Sequence, residues 1–295
     1  MTYQSRPGAE PVHTPRTPRV VAARKLQGRR AREETLRFLA EGPQAVREAV
    51  AAHAVVELFA TVEALERDPR LVAEAEAGRA RVSVVSDEAL ATLAETVHPQ
   101  GLVAVCRHRD TPLETVLAGA PRLVAVLVDV RDPGNAGAVL RTADAAGADA
   151  VIFAGEAVDP YNGKCVRASA GSLFHVDLVR SGSHHAVLSA LRAAGLRVLA
   201  TYPHGGHDLD QLAAAGELDA PTAWLFGSEA HGLPSELAAA ADLRVRVPIH
   251  GRAESLNLAA AAAVCLYASA RVHHAPAADT APAAQGEHVP MEGDL

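Results

Sequence analysis

The strongest constraint on this chain is a series of short, largely unbroken apolar runs in its second half. Leu123–Val130, Ala150–Phe153, Arg197–Thr201, Ala223–Phe226 and Arg244–Pro248 are each separated by enough residues for a helix. A strand that is apolar along its length is buried on both faces, and a parallel sheet covered by helices on each side provides that burial. In such sheets a ligand sits at the carboxyl ends of the strands, so the loops there become the place to look for chemistry. The chain is 49% hydrophobic but only 3% aromatic, so its core must be filled mainly by Ala, Val and Leu. At 295 residues, a large enough share of the surface is buried for such a core to suffice.

The first half has a different texture. A basic helix is expected over Val20–Glu34, a strand over Leu36–Ala40 and a helix from Gly42 through Ala51. Strand Val55–Ala60, helix Val62–Ala77, strand Arg81–Val85, helix Asp87–Thr96 and strand Leu102–Cys106 follow. This alternation implies a small α/β sandwich. Residues 109–121 hold two prolines and a glycine and read as a linker. The chain therefore divides into a tail (1–18), a first domain (19–108), the linker, a second domain (122–272) and a second tail (273–295). Both tails are rich in Pro, Ala and polar residues without periodicity and are expected to be disordered.

Net charge is −7, but it is unevenly placed. Residues 1–34 carry eight Lys or Arg against three acids, whereas residues 275–295 carry four acids and no Lys or Arg. A polyanion would meet the front of the chain first. Lys25, Arg29, Arg30 and Arg32 are the candidate phosphate contacts, with a merely solvated basic segment as the plain alternative. No apolar run reaches the roughly 18 to 20 residues of a membrane span, and Met1–Arg19 lacks a secretory signal. The three cysteines, Cys106, Cys165 and Cys265, are far apart and form no CxxC pair. The expectation is a cytoplasmic protein with neither a disulfide framework nor a metal.

Three loops at strand ends hold most of the unusual residues. The first, after Leu123–Val130, contains the turn Asp132-Pro133-Gly134-Asn135, with Gly137 at the start of a helix and Arg141 about two turns in. Taken alone, Asn135 reads as an N-cap and Arg141 as a solvated helix residue. The second is Gly227-Ser228-Glu229-Ala230-His231-Gly232-Leu233-Pro234. A glycine directly after an apolar strand lets a flat ligand lie against bare backbone, and a helix-capping role for Glu229 is the simpler alternative. The third runs from Val247 through Ile249, Ser255, Leu256 and Asn257 into a long Ala-rich helix. Ser and Asn there suit either capping or ligand contact.

Familiar alternatives fare poorly. The first loop has G-x-x-G instead of G-x-G-x-x-G, and no P-loop pattern occurs. Arg167-Ala-Ser169-Ala-Gly171 misses the first glycine of a serine-hydrolase elbow. The adjacent pairs His184-His185 and His273-His274 do not share a helix face and make poor metal sites.

Taken together and in this order, DVRDPGNAGAVLRTADAAGADAVIF (129–153), LFGSEAHGLP (225–234) and VPIHGRAESLNLAAAAAVCLY (247–267) closely resemble the three motifs of the SpoU family. These are RNA 2′-O-methyltransferases of the SPOUT superfamily. VDPYNGKCVRASAGSLFHV (158–176) is similar to the family's segment between its first two motifs. Residues 23–50 and 98–105 resemble its small RNA-binding domain, which is itself similar to certain ribosomal proteins. The resemblance spans about residues 19–272. It implies an α/β fold whose C-terminal methyltransferase domain is a deep trefoil knot, preceded by a small α/β ribosomal-protein-like domain. It also implies S-adenosyl-L-methionine as cofactor and a homodimer with the active site at the subunit interface.

By the same resemblance, Gly227, Val247, Ile249 and Leu256 hold the cofactor, and Asn135, Arg141, Glu229, Ser255 and Asn257 are the catalytic set. The substrate it implies is structured RNA, with ribosomal RNA favoured because two-domain members often act there. A transfer-RNA 2′-O-methyltransferase or a catalytically silent RNA-binding relative are the alternatives. Family proposals make Arg141 a base. A guanidinium keeps its proton to above pH ~12, so holding a phosphate and stabilising the developing alkoxide suits it better. Ala230-His231 departs from the small or acidic pair many relatives carry at that point.

Overall fold

A computed structural model of the chain, described here for residues 12–274, resolves the alternation into two sheets. The first contains β1 (Arg37–Glu41), β2 (Val55–Ala60), β3 (Arg81–Val84) and β4 (Leu102–Arg107), in the spatial order β1-β4-β2-β3. Strand β4 is antiparallel to β1 and β2, and β2 is parallel to β3. The second contains β5 (Leu123–Val128), β6 (Ala150–Ala154), β7 (Asp177–Ser181), β8 (Arg197–Thr201), β9 (His207–Asp208), β10 (Thr222–Phe226) and β11 (Leu243–Arg246). Its order is β7-β6-β5-β10-β8-β11-β9 and every pairing is parallel.

Burial along the whole strand holds for three of the five expected runs; β8 is only partly buried at its two ends, and β11, where Arg244 and Arg246 flank Val245, buries Val245 alone. Every residue of β5, β6 and β10 is buried. Alternate side chains feed two cores: Leu123, Ala125, Leu127, Trp224 and Phe226 face one, and Val124, Val126, Val128, Ala223 and Leu225 the other. In the first sheet, Leu102, Ala104 and Cys106 face one layer and Val103 and Val105 the other, where Val20, Leu26, Leu90 and Leu93 cover them. The layer holding Phe38 and Cys106 is continuous with the core of the second sheet. Phe38 meets Tyr161 and Phe174 with ring centroids 4.7 and 6.0 Å apart, so the two units share apolar packing across their boundary.

Several local expectations give way to proline, burial or pairing. The helix expected over Val62–Ala77 is two helices, Val62–Arg67 and Pro69–Ala77, because Pro69 starts a new one capped by Asp68. The basic helix expected over Val20–Glu34 is also divided, into Pro18–Arg24, a 3₁₀ turn Lys25–Gln27 and Arg29–Thr35, with Gly28 extended between them. Residues 109–121 contain helix Leu113–Ala118, and Thr111 donates its N–H to Leu178 O beside β7. Residues 12–17, placed in a tail, are ordered: the His13 N–H donates to Val84 O and the Ser86 N–H to His13 O. The last helix runs to His273. Of the two disordered tails expected, residues 1–11 and 275–295 lie outside the described residues.

The division of the basic helix turns Arg32 inward, which removes it from the set of phosphate contacts. Its side chain is 3% exposed and pairs with Asp159, itself 5% exposed, at 2.8 Å. The guanidinium also donates to Leu26 O and Gln27 O at 3.0 and 2.8 Å, and Asp159 accepts the Tyr161 N–H. Arg32 therefore ties the first unit to the second. Removing one partner of a buried pair strands the other charge, at a cost of ~3–5 kcal/mol. Arg32→Ala is expected to lower unfolding stability by about that amount in denaturant titrations, whereas Arg30→Ala should change it little.

A second polar tie crosses the same boundary. His175 Nδ1 lies 2.8 Å from Asp144 of helix Pro133–Ala145, and its Nε2 lies 3.1 Å from Glu48 of helix Pro43–Ala51. The hydrogen bond to Asp144 foremost, with Glu48 second among the partners, raises the His175 pKa above its ordinary value. A raised imidazole pKa stabilises the folded state fully below the unfolded pKa, and that contribution is lost as pH rises through the folded pKa. The thermal stability gap between the wild type and His175→Ala should be widest in mildly acidic buffer and close in alkaline buffer. A gap independent of pH would show that the imidazolium contributes nothing.

Candidate active site

The sheet reverses its direction of growth between β5 and β10. From β5 the chain builds outward through β6 and β7; β10 and β8 lie on the other side, with Leu127 paired to Phe226. Such a switch point leaves a crevice at the carboxyl ends of the two strands. The segments following β5, β10 and β11 are the three loops singled out in the sequence.

Capping decides how the first loop works. Asp132, not Asn135, caps helix Pro133–Ala145: its Oδ1 accepts the Asn135 N–H at 2.8 Å, and Pro133 occupies the first turn. Gly137 lets this helix press on helix Gly163–Ser169, because a Cβ there would collide with Cys165 O. The Asn135 carboxamide is thereby released from capping. Its Nδ2 donates to Glu229 Oε1 at 2.6 Å, and its Oδ1 accepts from Asn257 Nδ2 at 3.0 Å. Asn257 fills both roles open to it, since its Oδ1 also caps the final helix by accepting the Ala259 N–H at 2.9 Å. One residue from each loop is thus joined into a single hydrogen-bonded chain. Glu229 does not cap the following helix, which starts after Pro234 without a side-chain cap.

On one side of this chain lies a cavity of about 470 Å³, within the range typical of small-molecule sites. Gly227, Val247, Ile249 and Leu256, the four residues expected to hold a cofactor, all line it, as do Glu229, Ser255 and Asn257. Gly227 is obligatory, because a Cβ would collide with the Gly232 and Leu233 backbone where the loop folds back on β10. Sequence reasoning missed Thr201, Tyr202 and Pro203 at the end of β8, and Glu254. The carboxyl-end rule alone pointed to the β8 residues. On the other side, a cavity of about 720 Å³ is lined by Asp129, Arg131, Asn135, Glu156, His184, Glu229 and His231. Glu229 belongs to both walls.

Arg141 stands apart. It is exposed, two turns beyond Asn135, and its side chain makes no hydrogen bond or ion pair with the described residues. The Ser255 hydroxyl is likewise without an intrachain hydrogen bond among the described residues. Lys25, Arg29 and Arg30 are exposed; Arg29 and Arg30 pair with Glu33 and Glu34, contacts weak enough to exchange for a phosphate. Asp132 is held below the usual carboxylate range by hydrogen bonds from Lys164 and from the Asn135 backbone. No cluster of three or more His, Cys, Asp or Glu suited to a metal occurs among the described residues.

Comparison with known proteins matches most of the chain. The SpoU rRNA Methylase family model matches residues 122–267, and the MRM3-like substrate binding domain model matches residues 17–104. The chain is 35% identical to the 23S rRNA (guanosine(2553)-2′-O)-methyltransferase RlmP of Bacillus subtilis, over 83% of this chain and 92% of that protein. An AdoMet-bound rRNA methyltransferase from Sinorhizobium meliloti superposes with a TM-score of 0.78 at 34% identity, covering 88% of this chain and 95% of that one. The SpoU methyltransferase AviRb from Streptomyces viridochromogenes, in complex with AdoMet, gives 0.73 at 31% identity, covering 86% and 98%. With both units matched, the chain belongs to the SpoU rRNA methylase family.

Proposed function

We propose that this protein transfers the methyl group of S-adenosyl-L-methionine to a ribose 2′-hydroxyl of ribosomal RNA. The observation that carries the reading is the Glu229–Asn135–Asn257 chain standing between two cavities at the sheet's switch point. The cavity beside Gly227 suits an adenosyl group: it has an apolar wall of Leu233, Val247, Ile249 and Leu256, and carboxylates at Glu229 and Glu254 to face a cation. When bound, the donor supplies an electrophilic methyl group on a sulfonium. The protein has to position the hydroxyl and handle the charge that develops on its oxygen.

The residues divide that work. The bare backbone at Gly227 and the apolar wall hold the donor and exclude water. Asn135, fixed at both ends of its carboxamide, orients the ribose from the opposite cavity, with Glu229 as its anchor. Ser255, whose hydroxyl has no hydrogen-bond partner among the described residues, shapes the junction between donor and ribose. Arg141 keeps its proton, grips the phosphate next to the target ribose and stabilises the alkoxide electrostatically.

Arg141 lies outside the intrachain network, so this role calls for a second subunit and a homodimer with its site at the interface. An exposed apolar stripe on the final helix supports the dimer: Val264 and Tyr267 are each 42% exposed, and the Tyr267 hydroxyl reaches Ala145 O at the end of Arg141's own helix. The reading includes the family's knot. In its favour, residues 247–257 share a cavity with Gly227–Leu233 while the helix after them packs on Pro133–Ala145. The first unit binds the RNA through exposed Lys25, Arg29 and Arg30, which positions it without reading sequence. No helix among the described residues is long and apolar enough to cross a membrane, and the reading places the protein in the cytoplasm with its RNA.

Incubating the protein and labelled donor with ribosomal and transfer RNA separately, then mapping the 2′-O-methyl site, tests the function directly. Label in transfer RNA alone would replace the ribosomal reading; label in neither would leave a silent RNA-binding protein. Two variants should separate binding from chemistry. Gly227→Ala is expected to abolish donor binding in calorimetry. Arg141→Ala should bind the donor with nearly wild-type affinity yet lose turnover by a hundredfold or more, roughly the loss seen when one transition-state charge contact is removed.

A further inference from the structure

Lys164 has no part in the roles above, yet its ammonium is two hydrogen bonds from the centre of the site. Its Nζ lies 2.8 Å from Asp132 Oδ2, while Asp132 Oδ1 accepts the Asn135 N–H at 2.8 Å. One carboxylate thus divides its oxygens between a lysine and the first turn of the helix that presents Asn135. The carboxamide is held at 2.6 Å by Glu229 and 3.0 Å by Asn257. Both contacts depend on where the Asn135 backbone sits, because a small rotation of that first turn moves both ends of the amide together.

The backbone that carries the lysine is firmly stationed. It sits on helix Gly163–Ser169, which Asn162 caps by accepting the Lys164 N–H at 2.9 Å. One turn on, Arg167 reaches Glu95 of the first unit at 2.7 Å. The same helix presses against Gly137 of the Asn135 helix so closely that no Cβ would fit between them. By contrast, the Lys164–Asp132 pair is half exposed, its side chains 57% and 41% accessible. Pairs so exposed add little to folding stability, so the contact matters for geometry more than for the fold.

We propose that Lys164 is a positioning residue for methyl transfer, acting through Asp132 to fix the Asn135 carboxamide between Glu229 and Asn257. The inference rests on the methyl-transfer reading for its kinetic consequence but not for its structural one, and the experiment separates the two. Lys164→Ala, Lys164→Arg, Asn135→Ala and the double variant Lys164→Ala/Asn135→Ala are compared with wild type under single-turnover conditions on ribosomal RNA. Lys164→Ala should slow transfer by about tenfold, with half-saturation for RNA, donor affinity and thermal midpoint close to wild type. Lys164→Arg, which keeps a cation for Asp132, should recover most of the rate. Adding Lys164→Ala to Asn135→Ala should change nothing further, because the residue it positions is gone.

A weakened RNA half-saturation with an unchanged maximal rate would overturn the proposal in favour of a direct phosphate contact. A loss that persists undiminished in the Asn135→Ala background, or no loss at all, would overturn it as well. The Asn135 side-chain amide resonances supply a readout independent of turnover. They should shift in Lys164→Ala and return toward wild type in Lys164→Arg, and unmoved resonances would overturn the proposal even in an active enzyme. If the wild type transfers no methyl group to any RNA, the functional reading fails while these resonances still decide the role of Lys164.

Discussion

Burial of both faces of β5 and β10 is the constraint from which the rest of the structure follows. A strand enclosed on each side by helices admits a polar side chain only where its hydrogen bond is met inside: six consecutive residues of β5 and five of β10 are buried, and the one hydroxyl among them, at Thr222 where β10 begins, donates to Ala220 O. Every group with chemical capacity is displaced to the strand ends. Parallel pairing then puts the carboxyl ends of both strands on one edge, and the reversal of strand order opens a crevice between them. The loops holding Asn135 and Glu229 meet there because the sheet leaves them no other destination. Close approach is secured where a side chain would block it, at Gly137 against Cys165 and at Gly227 against Gly232 and Leu233.

Helix capping does the second part of the work. A helix start needs its free N–H groups satisfied, and a polar atom used for that purpose is not available to the site. Asp132 takes the duty at helix Pro133–Ala145 and frees both ends of the Asn135 carboxamide. Asn257 keeps one end for its cap and extends the other to Asn135. Capping and function, alternatives when each loop is viewed alone, are therefore divided between neighbours in one case and between the two ends of one amide in the other.

This explains what the sequence made legible and what it hid. The central strands were readable because their burial leaves an unbroken apolar pattern; β7 and β9 were not, since Asp177–Ser181 is mixed and His207–Asp208 is only a two-residue edge pairing. Gly227, Val247, Ile249 and Leu256, the residues proposed to hold the donor, line one cavity. Arg32 misled because a cation in a basic run looks solvated, and its partner Asp159 lies 127 residues away. No local pattern announces such a pair. Lys164 was hidden for the same reason: its meaning lies in Asp132, 32 residues earlier.

The placement of charge also reconciles an acidic protein with a polyanionic substrate. Net charge governs distant attraction, but contact is decided by the cations left uncommitted at the surface. Several arginines of this chain are spent internally: Arg32 on Asp159, Arg167 on Glu41 and Glu95, Arg180 on Asp110. These pairs cluster where the two units meet and hold the first unit in fixed relation to the second. Arg141 is exposed and unpaired among the described residues, on the helix that begins with the Asn135 turn. A cation without a partner among the described residues gives up no ion pair when it turns toward a phosphate, whereas each paired arginine would first have to abandon a carboxylate. The internal pairs therefore fix the geometry, and Arg141 is left exposed on the helix that presents Asn135, as its proposed contact with RNA requires.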